Sequence, residues 1–237
     1  MNHAVDLVLR AVMAPVLAVQ AVRVRRHALI LPEAGGPRSG VVGVGQDLRL
    51  LIVGDSSAAG VGVAVQDLAL AGHVSRTLAA SFRVDWLLQA QTGATTAVTF
   101  KRLQALPAQK FDVVIVALGV NDVTGMVPLE LWLTRQRRLV RLLQDRFGAR
   151  LICLSGLPPM GHFPLLPQPL RWVLGRQAAR FDRHLRQSAA GDPALAYVPL
   201  DFAMSPDQIA TDGYHPGPEI YGEWARVLRQ AIIARLG

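Results

Sequence analysis

Four short stretches of this chain carry groups that together can break an acyl bond. Gly54-Asp55-Ser56 supplies a hydroxyl and Gln91-Thr92-Gly93-Ala94 supplies backbone donors; Gly119-Val120-Asn121-Asp122 adds an amide. Asp212-Gly213-Tyr214-His215 adds an imidazole with a carboxylate three residues before it. A serine hydroxyl is a weak nucleophile until a neighbouring base takes its proton. Imidazole suits that task because it titrates near neutral pH. Its other ring nitrogen needs a partner that holds the tautomer, and Asp212 can reach it through a tight turn. The tetrahedral intermediate of acyl transfer carries an oxyanion that needs preorganised donors. The backbone N–H groups of Ser56 and Gly93 and the side-chain NH₂ of Asn121 could be those donors.

Each stretch has an ordinary use when taken alone. Serine after glycine commonly caps a helix or closes a turn. Asn121-Asp122 can form an Asx turn, and a histidine before proline can be a surface loop residue. Their weight comes from their joint placement behind successive strands. LRLLIVG (48–54), RVDWLLQA (83–90), FDVVIVALG (111–119), RLICLSG (150–156) and LAYVPLD (195–201) read as strands. Between them, 67–80, 95–106, 128–148 and 170–190 read as helices, and 218–236 closes the chain as another. Alternation of this kind predicts a three-layer, doubly wound α/β fold, flavodoxin-like in general order, around a parallel sheet of about five strands. Ligands of such sheets bind beyond the carboxyl ends of the strands. The first three stretches directly follow strands, and the fourth lies in the last loop.

In these four blocks the chain resembles the SGNH hydrolases, also called GDSL esterases and lipases. GDS at 54–56, the glycine at 93, GVND at 119–122 and DGYH at 212–215 occur in the family's order, across residues 48–216. The resemblance implies the SGNH hydrolase fold, with Ser56 as nucleophile, His215 as base and Asp212 as its orienter. It implies an oxyanion hole of Ser56 N–H, Gly93 N–H and the Asn121 side chain. Ser57 stands where the family's motif has leucine, which leaves a second hydroxyl nearby. Asp55 is expected to hold the loop after the first strand by hydrogen bonds, and Asp122 to take no part in chemistry. The expected activity is hydrolysis of carboxylic esters or thioesters with short to medium acyl chains, on a small-molecule substrate. Transfer of the acyl group to an alcohol uses the same parts. A non-catalytic module that binds a membrane surface or a partner on the same fold is a third reading.

Composition narrows the field. The 237 residues are 51% hydrophobic and carry a formal charge of +8, with Lys101 and Lys110 the only lysines among 25 basic side chains. The arginines are spread along helices, with no aromatic-interleaved basic run, so no nucleic-acid partner is expected. Cys153 stands alone and forms no intrachain disulfide. His73 and His162 lack metal-ligand spacing, so neither metal nor cofactor is expected. Phosphate-binding and dinucleotide fingerprints are incomplete, and Ala58 occupies the last place of the α/β-hydrolase elbow.

Residues 1–46 are set apart as an apolar, then basic, N-terminal helix and linker, ahead of a catalytic domain at 47–237. The uninterrupted apolar stretch, Ala11 to Val19, is too short to cross a bilayer, and Pro15 should kink it. The charge pattern does not fit a secretory leader, so the cytoplasm is the expected compartment. Two readings of the helix stay open: packing on the domain, or peripheral contact with a membrane through Arg23, Arg25 and Arg26. PEAGGPRSG (32–40) reads as a loop or linker. Met160, Phe163, Leu165 and Leu166, in the proline-rich stretch after the fourth strand, are expected to form one wall of an acyl pocket.

Overall fold

The apolar runs do become the strands of one sheet. The computed structural model describes residues 3–201 and 205–236. Met1 and Asn2, at the head of the expected N-terminal helix, lie outside the described residues. In chain order the elements are α1 (His3–His27), β1 (Ser39–Val42), β2 (Gln46–Gly54), α2 (Leu70–Leu78), β3 (Phe82–Ala90), α3 (Thr96–Ala105) and β4 (Val113–Ala117). They continue with α4 (Val120–Thr124), α5 (Leu129–Phe147), β5 (Leu151–Ser155), α6 (Leu170–Ala189), β6 (Leu195–Val198) and α7 (Pro218–Leu236).

The sheet runs β1-β3-β2-β4-β5-β6. β3, β2, β4, β5 and β6 are parallel, in the flavodoxin-like order, and β1 pairs antiparallel to the outer edge of β3. Side chains alternate across the sheet. Leu51, Val53, Val114 and Ile152 face a core built by α3, α5 and α6, where Trp132 stacks on Phe181 at 4.4 Å between ring centroids. Leu50, Ile52, Ile115 and Cys153 face the opposite core, built by α2 and α7 around Leu78, Tyr221 and Trp224. Burial on both faces explains why these strands read as unbroken apolar runs. Burial also pushes the Cys153 thiol up to about 12, which leaves it an inert core residue.

The structure departs from the sequence reading in two places. The sheet has six strands. The extra one, β1, begins inside the stretch read as a linker and is only half-buried, with no strong apolar run to announce it. A short helix, α4, forms where Asn121-Asp122 suggested a turn. The N-terminal helix includes Pro15 and rests on α6. Gln20 of α1 brackets the start of α6: its side-chain oxygen accepts the Leu170 N–H at 3.0 Å, and its NH₂ donates to the Gln168 carbonyl at 2.6 Å. The Leu170 N–H is one of the donors a helix start otherwise leaves unpaired.

Gly54 sets the level at which the sheet hands over to the site. It pairs with Ala90 on one side and Ala117 on the other. A Cβ placed there would lie 2.3 Å from the Ala58 methyl and 2.8 Å from the Ala117 carbonyl oxygen. The chain must therefore shift to admit even one methyl group. Gly54→Ala should lower the unfolding free energy by about 1–3 kcal/mol. The expected readout is a lower urea midpoint with an unchanged slope.

Candidate active site

The turn after β2 folds back under its own strand. Asp55 N–H donates to the Ala117 carbonyl at 3.2 Å, and the Ser56 carbonyl accepts the Val61 N–H at 3.0 Å. Ser56 is thereby carried over the junction between β2 and β4, where successive connections leave for opposite faces of the sheet. The 209–216 loop, closed by an antiparallel bridge between Ile209 and Pro216, brings His215 to it. His215 Nε2 lies 2.8 Å from Ser56 Oγ, and His215 Nδ1 lies 2.5 Å from Asp212 Oδ2. Ring nitrogen to hydroxyl, and ring nitrogen to carboxylate, are the two contacts a base-activated serine needs. Ser57 makes no such contact; its N–H donates to Asp55 Oδ1 at 3.1 Å.

Asp212 is buried, which opposes its charge. The His215 ring outweighs that burial together with the N–H groups of His215 and Tyr214, which reach Asp212 Oδ1 at 3.0 and 2.9 Å, so its carboxyl lies below the usual range. Asp55 has the opposite balance. Complete burial pushes it up to about 6, against the pull of the Ser57 N–H and the nearby imidazole. Asp122 is also raised by burial, despite hydrogen bonds from the Thr96 N–H at 2.9 Å and the Thr96 hydroxyl at 2.8 Å. That contact ties α4 to the first turn of α3, a position that favours negative charge.

Among the described residues, the N–H groups of Ser56 and Gly93 donate to no protein acceptor. Gly93 has φ +77, which side chains rarely adopt, and a Cβ there would meet nothing within 4 Å. Its backbone faces open space above the rim. Asn121 differs from the sequence expectation. Its NH₂ donates to Asp55 Oδ2 at 3.2 Å and to the Ala94 carbonyl at 3.1 Å, so both hydrogens are engaged. Asp55 thus holds Asn121 as well as its own turn.

The expected acyl-pocket residues separate. Met160 is fully buried in the core. Phe163 packs edge-on against Tyr214, 5.1 Å between ring centroids, and borders a nook of about 40 Å³ beside Ser56. Leu165 and Leu166 line a separate groove on the α1 side of His215. No group of three or more His, Cys, Asp or Glu suited to a metal occurs among the described residues.

One part of the site has no local signal in the sequence. Glu33, inside the stretch read as a linker, accepts the Thr92 N–H at 2.7 Å and the Thr92 hydroxyl at 2.9 Å. Arg38 pairs with Glu33 at 2.9 Å and donates to the Ala90 carbonyl. The segment before the sheet thus pins the loop that presents Gly93. Its detection needs the pairing of β1 with β3, which residue types do not reveal.

A doubly wound sheet with a serine–histidine–aspartate relay at its carboxyl rim, and unpaired backbone donors beside it, has the architecture of an SGNH-type fold. The chain belongs to the GDSL-like Lipase/Acylhydrolase family, whose profile matches residues 52–222. It is 28% identical over 200 residues to the GDSL-like esterase Rv1075c of Mycobacterium tuberculosis, an alignment covering 78% of this chain and 62% of that protein. The chain therefore spans about three-fifths of the length of that curated relative. Two solved structures share the fold. The lipase Lip_vut3 from a goat rumen metagenome superposes with a TM-score of 0.66 at 18% identity, over 78% of this chain and 97% of that one. The psychrotrophic esterase EstA of Pseudoalteromonas sp. gives 0.60 at 18%, over 80% and 99%.

The Glu33 clamp makes a prediction of its own. Partial burial opposes the charge of Glu33, but the Thr92 and Arg38 contacts prevail and its pKa falls below the ordinary 4.5. A depressed carboxylate contributes stability above its unfolded pKa and loses it as pH falls through the folded value. Glu33→Ala should raise hydrogen exchange at the Thr92 amide at least tenfold at neutral pH. The difference between the two proteins should shrink below pH 4.5. Equal exchange at pH 7 would remove the clamp from the site's support.

Proposed function

We propose that this chain hydrolyses carboxylic esters, or thioesters, through an acyl-enzyme on Ser56. The observation that carries the reading is the unbroken relay from Ser56 Oγ to His215 Nε2 at 2.8 Å and from His215 Nδ1 to Asp212 at 2.5 Å. His215 Nε2 takes the Ser56 proton as Oγ attacks the ester carbonyl carbon. The Ser56 and Gly93 N–H groups receive the oxyanion, and Asn121 joins them by exchanging its longer contact, that to Asp55, for the substrate oxygen. The intermediate collapses, the leaving alkoxide or thiolate takes the proton from His215, and the acyl group stays on Ser56. His215 then deprotonates water as it attacks the acyl-enzyme; the second intermediate expels Ser56 Oγ, which takes the proton back from His215 as the acid leaves. Asp212 holds the ring and steadies its positive charge throughout. No step calls on a metal or cofactor.

Ser56→Ala should abolish hydrolysis of p-nitrophenyl acetate, a loss on the order of 10⁴-fold or more in kcat. The circular dichroism spectrum should be unchanged. Activity retained in this variant would reject the assignment. Asn121→Ala should cost less, on the order of 10²–10³ in kcat, as expected for one oxyanion donor.

A second observation bears on α1. Val12, Val16, Val19 and Val22 face solvent, with Val12 74% and Val19 67% exposed, and Arg23 and Arg26 stand beside them. An apolar helix face bordered by arginines suits an anionic lipid surface, and we infer that α1 rests on one. No helix among the described residues is long and apolar enough to cross a membrane. The full chain should co-sediment with phosphatidylserine-containing vesicles, less so at high salt. The double variant Val16→Glu, Val19→Glu should lose most of that binding. Absence of vesicle binding by the unmodified chain would end this reading.

A further inference from the structure

The nook beside Ser56, about 40 Å³, has room for only a few atoms. A much larger space lies on the other side of His215. It is a groove of about 500 Å³ between α1 and the start of α6, ending at Asp212, Tyr214 and His215. That volume falls in the range of small-molecule sites. We propose that this groove binds the unbranched aliphatic chain of the ester substrate, and that α1 sets the length of chain accepted. The proposal rests on the ester-hydrolase reading and names the part of the substrate that would fill the space.

Three features carry it. First, the walls are aliphatic. Leu17, Ala21 and Val24 of α1 face Leu165, Leu166 and Leu174 across the groove. Thr124 and Arg25 are polar members along its length, and Asp212, Tyr214 and His215 stand at its inner end, where Asp212 and His215 are bonded to each other. Such a mainly aliphatic surface gains from covering methylenes at roughly 0.8 kcal/mol each. Second, the groove is continuous with the reaction centre: its inner end is the imidazole that contacts the nucleophile. The Leu165 N–H donates to the Gly213 carbonyl at 3.1 Å, tying that wall to the loop that bears His215. Third, α1 presents Ala14, Ala18 and Ala21 to this space, where larger side chains would fill it. The wall belongs to α1, which precedes the family-matched residues 52–222, so it lies outside the span the family profile describes.

The chain in question can be the acyl portion or the alcohol portion of the ester, since both emanate from the carbon attacked beside His215. Two series separate them: p-nitrophenyl esters from acetate to decanoate, and alkyl acetates from ethyl to decyl. In the unmodified protein, kcat/KM should rise with chain length in one series. Ala21→Trp and Ala18→Trp should each lower the long-to-short ratio in that series at least tenfold. Ala18 is exposed, so its replacement tests the groove even if Ala21→Trp fails to fold. A ratio unchanged by Ala18→Trp, or no rise with length in either series, would overturn the proposal. Calorimetric titration of Ser56→Ala with decanoate gives a readout without turnover. Decanoate should bind, and binding should weaken at least tenfold when Ala18→Trp is added. If the unmodified protein hydrolyses nothing yet this binding pattern holds, the groove stands and the hydrolase reading falls. If esters are hydrolysed but decanoate does not bind, the groove falls alone.

Discussion

The shared register of three parallel strands is the constraint on which the site depends. Gly54, Ala90 and Ala117 are hydrogen-bonding neighbours at the ends of β2, β3 and β4, so three chain segments leave the sheet at one level. The ladder continues one step past them, through Gln91 N–H to the Gly54 carbonyl and Asp55 N–H to the Ala117 carbonyl. Ser56, Gly93 and Asn121 follow within four residues of those ends. A one-residue slip of any strand would turn its whole set of side chains to the other face, against two cores that are each fully packed. The cohesion of the apolar cores therefore fixes the positions of polar groups that never touch them. The fourth component, His215, arrives on a loop instead, and it is secured by hydrogen bonds that Asp212 Oδ1 accepts from two successive backbone N–H groups.

Three buried carboxylates surround this rim, and their environments assign them different tasks. Asp212 gathers enough donors to stay charged against its burial, which suits a group that must stabilise a positive imidazole. Asp55 has fewer, and burial raises it to about 6. Its carboxylate holds the Asn121 amide at 3.2 Å, a contact that an incoming oxyanion can replace. Asp122 looks away from the rim, toward the start of α3, and secures α4 from behind with Thr96 and Gln136. The amide of Asn121 is thus braced by one acid that can release it and supported through its own helix by another.

The parts legible in the sequence were those whose signal is local. Continuous Val, Ile and Leu runs marked the parallel strands because burial on both faces demands them, and the four blocks stood out because residue type and order survive without coordinates. What escaped notice depends on pairing at a distance. β1 is a half-buried edge strand with few apolar demands, so Ser39–Val42 resembled its flanking loop. Glu33 reaches Thr92 only because β1 lies along β3, and nothing near Glu33 distinguishes it from a solvated acid. Met160, Phe163, Leu165 and Leu166 are close in the chain but differ in the direction of their side chains. The turn at Met160–His162 sends the Met160 side chain wholly into the core, while Phe163 also borders the nook and Leu165 and Leu166 line the groove. A proline-rich stretch has no fixed period, so the direction of each side chain could not be read from its spacing.

The way α1 is attached explains how an apolar groove can stay open beside a tightly packed domain. A helix docked by large side chains along its length would close on α6 and fill the space. Here the Gln20 side chain joins α1 to the domain, bridging the Gln168 carbonyl and the Leu170 N–H at the start of α6. Leu17, Ala21 and Val24 add partial burial against the core. The bracket fixes this part of the helix against the start of α6, and the alanines beside it are too short to cross the gap. Ala18 borders both this groove and the exposed valine face. A lipid surface under those valines would therefore lie at the mouth of the groove, and an aliphatic chain could pass from one apolar environment to the other with little of its length exposed to water.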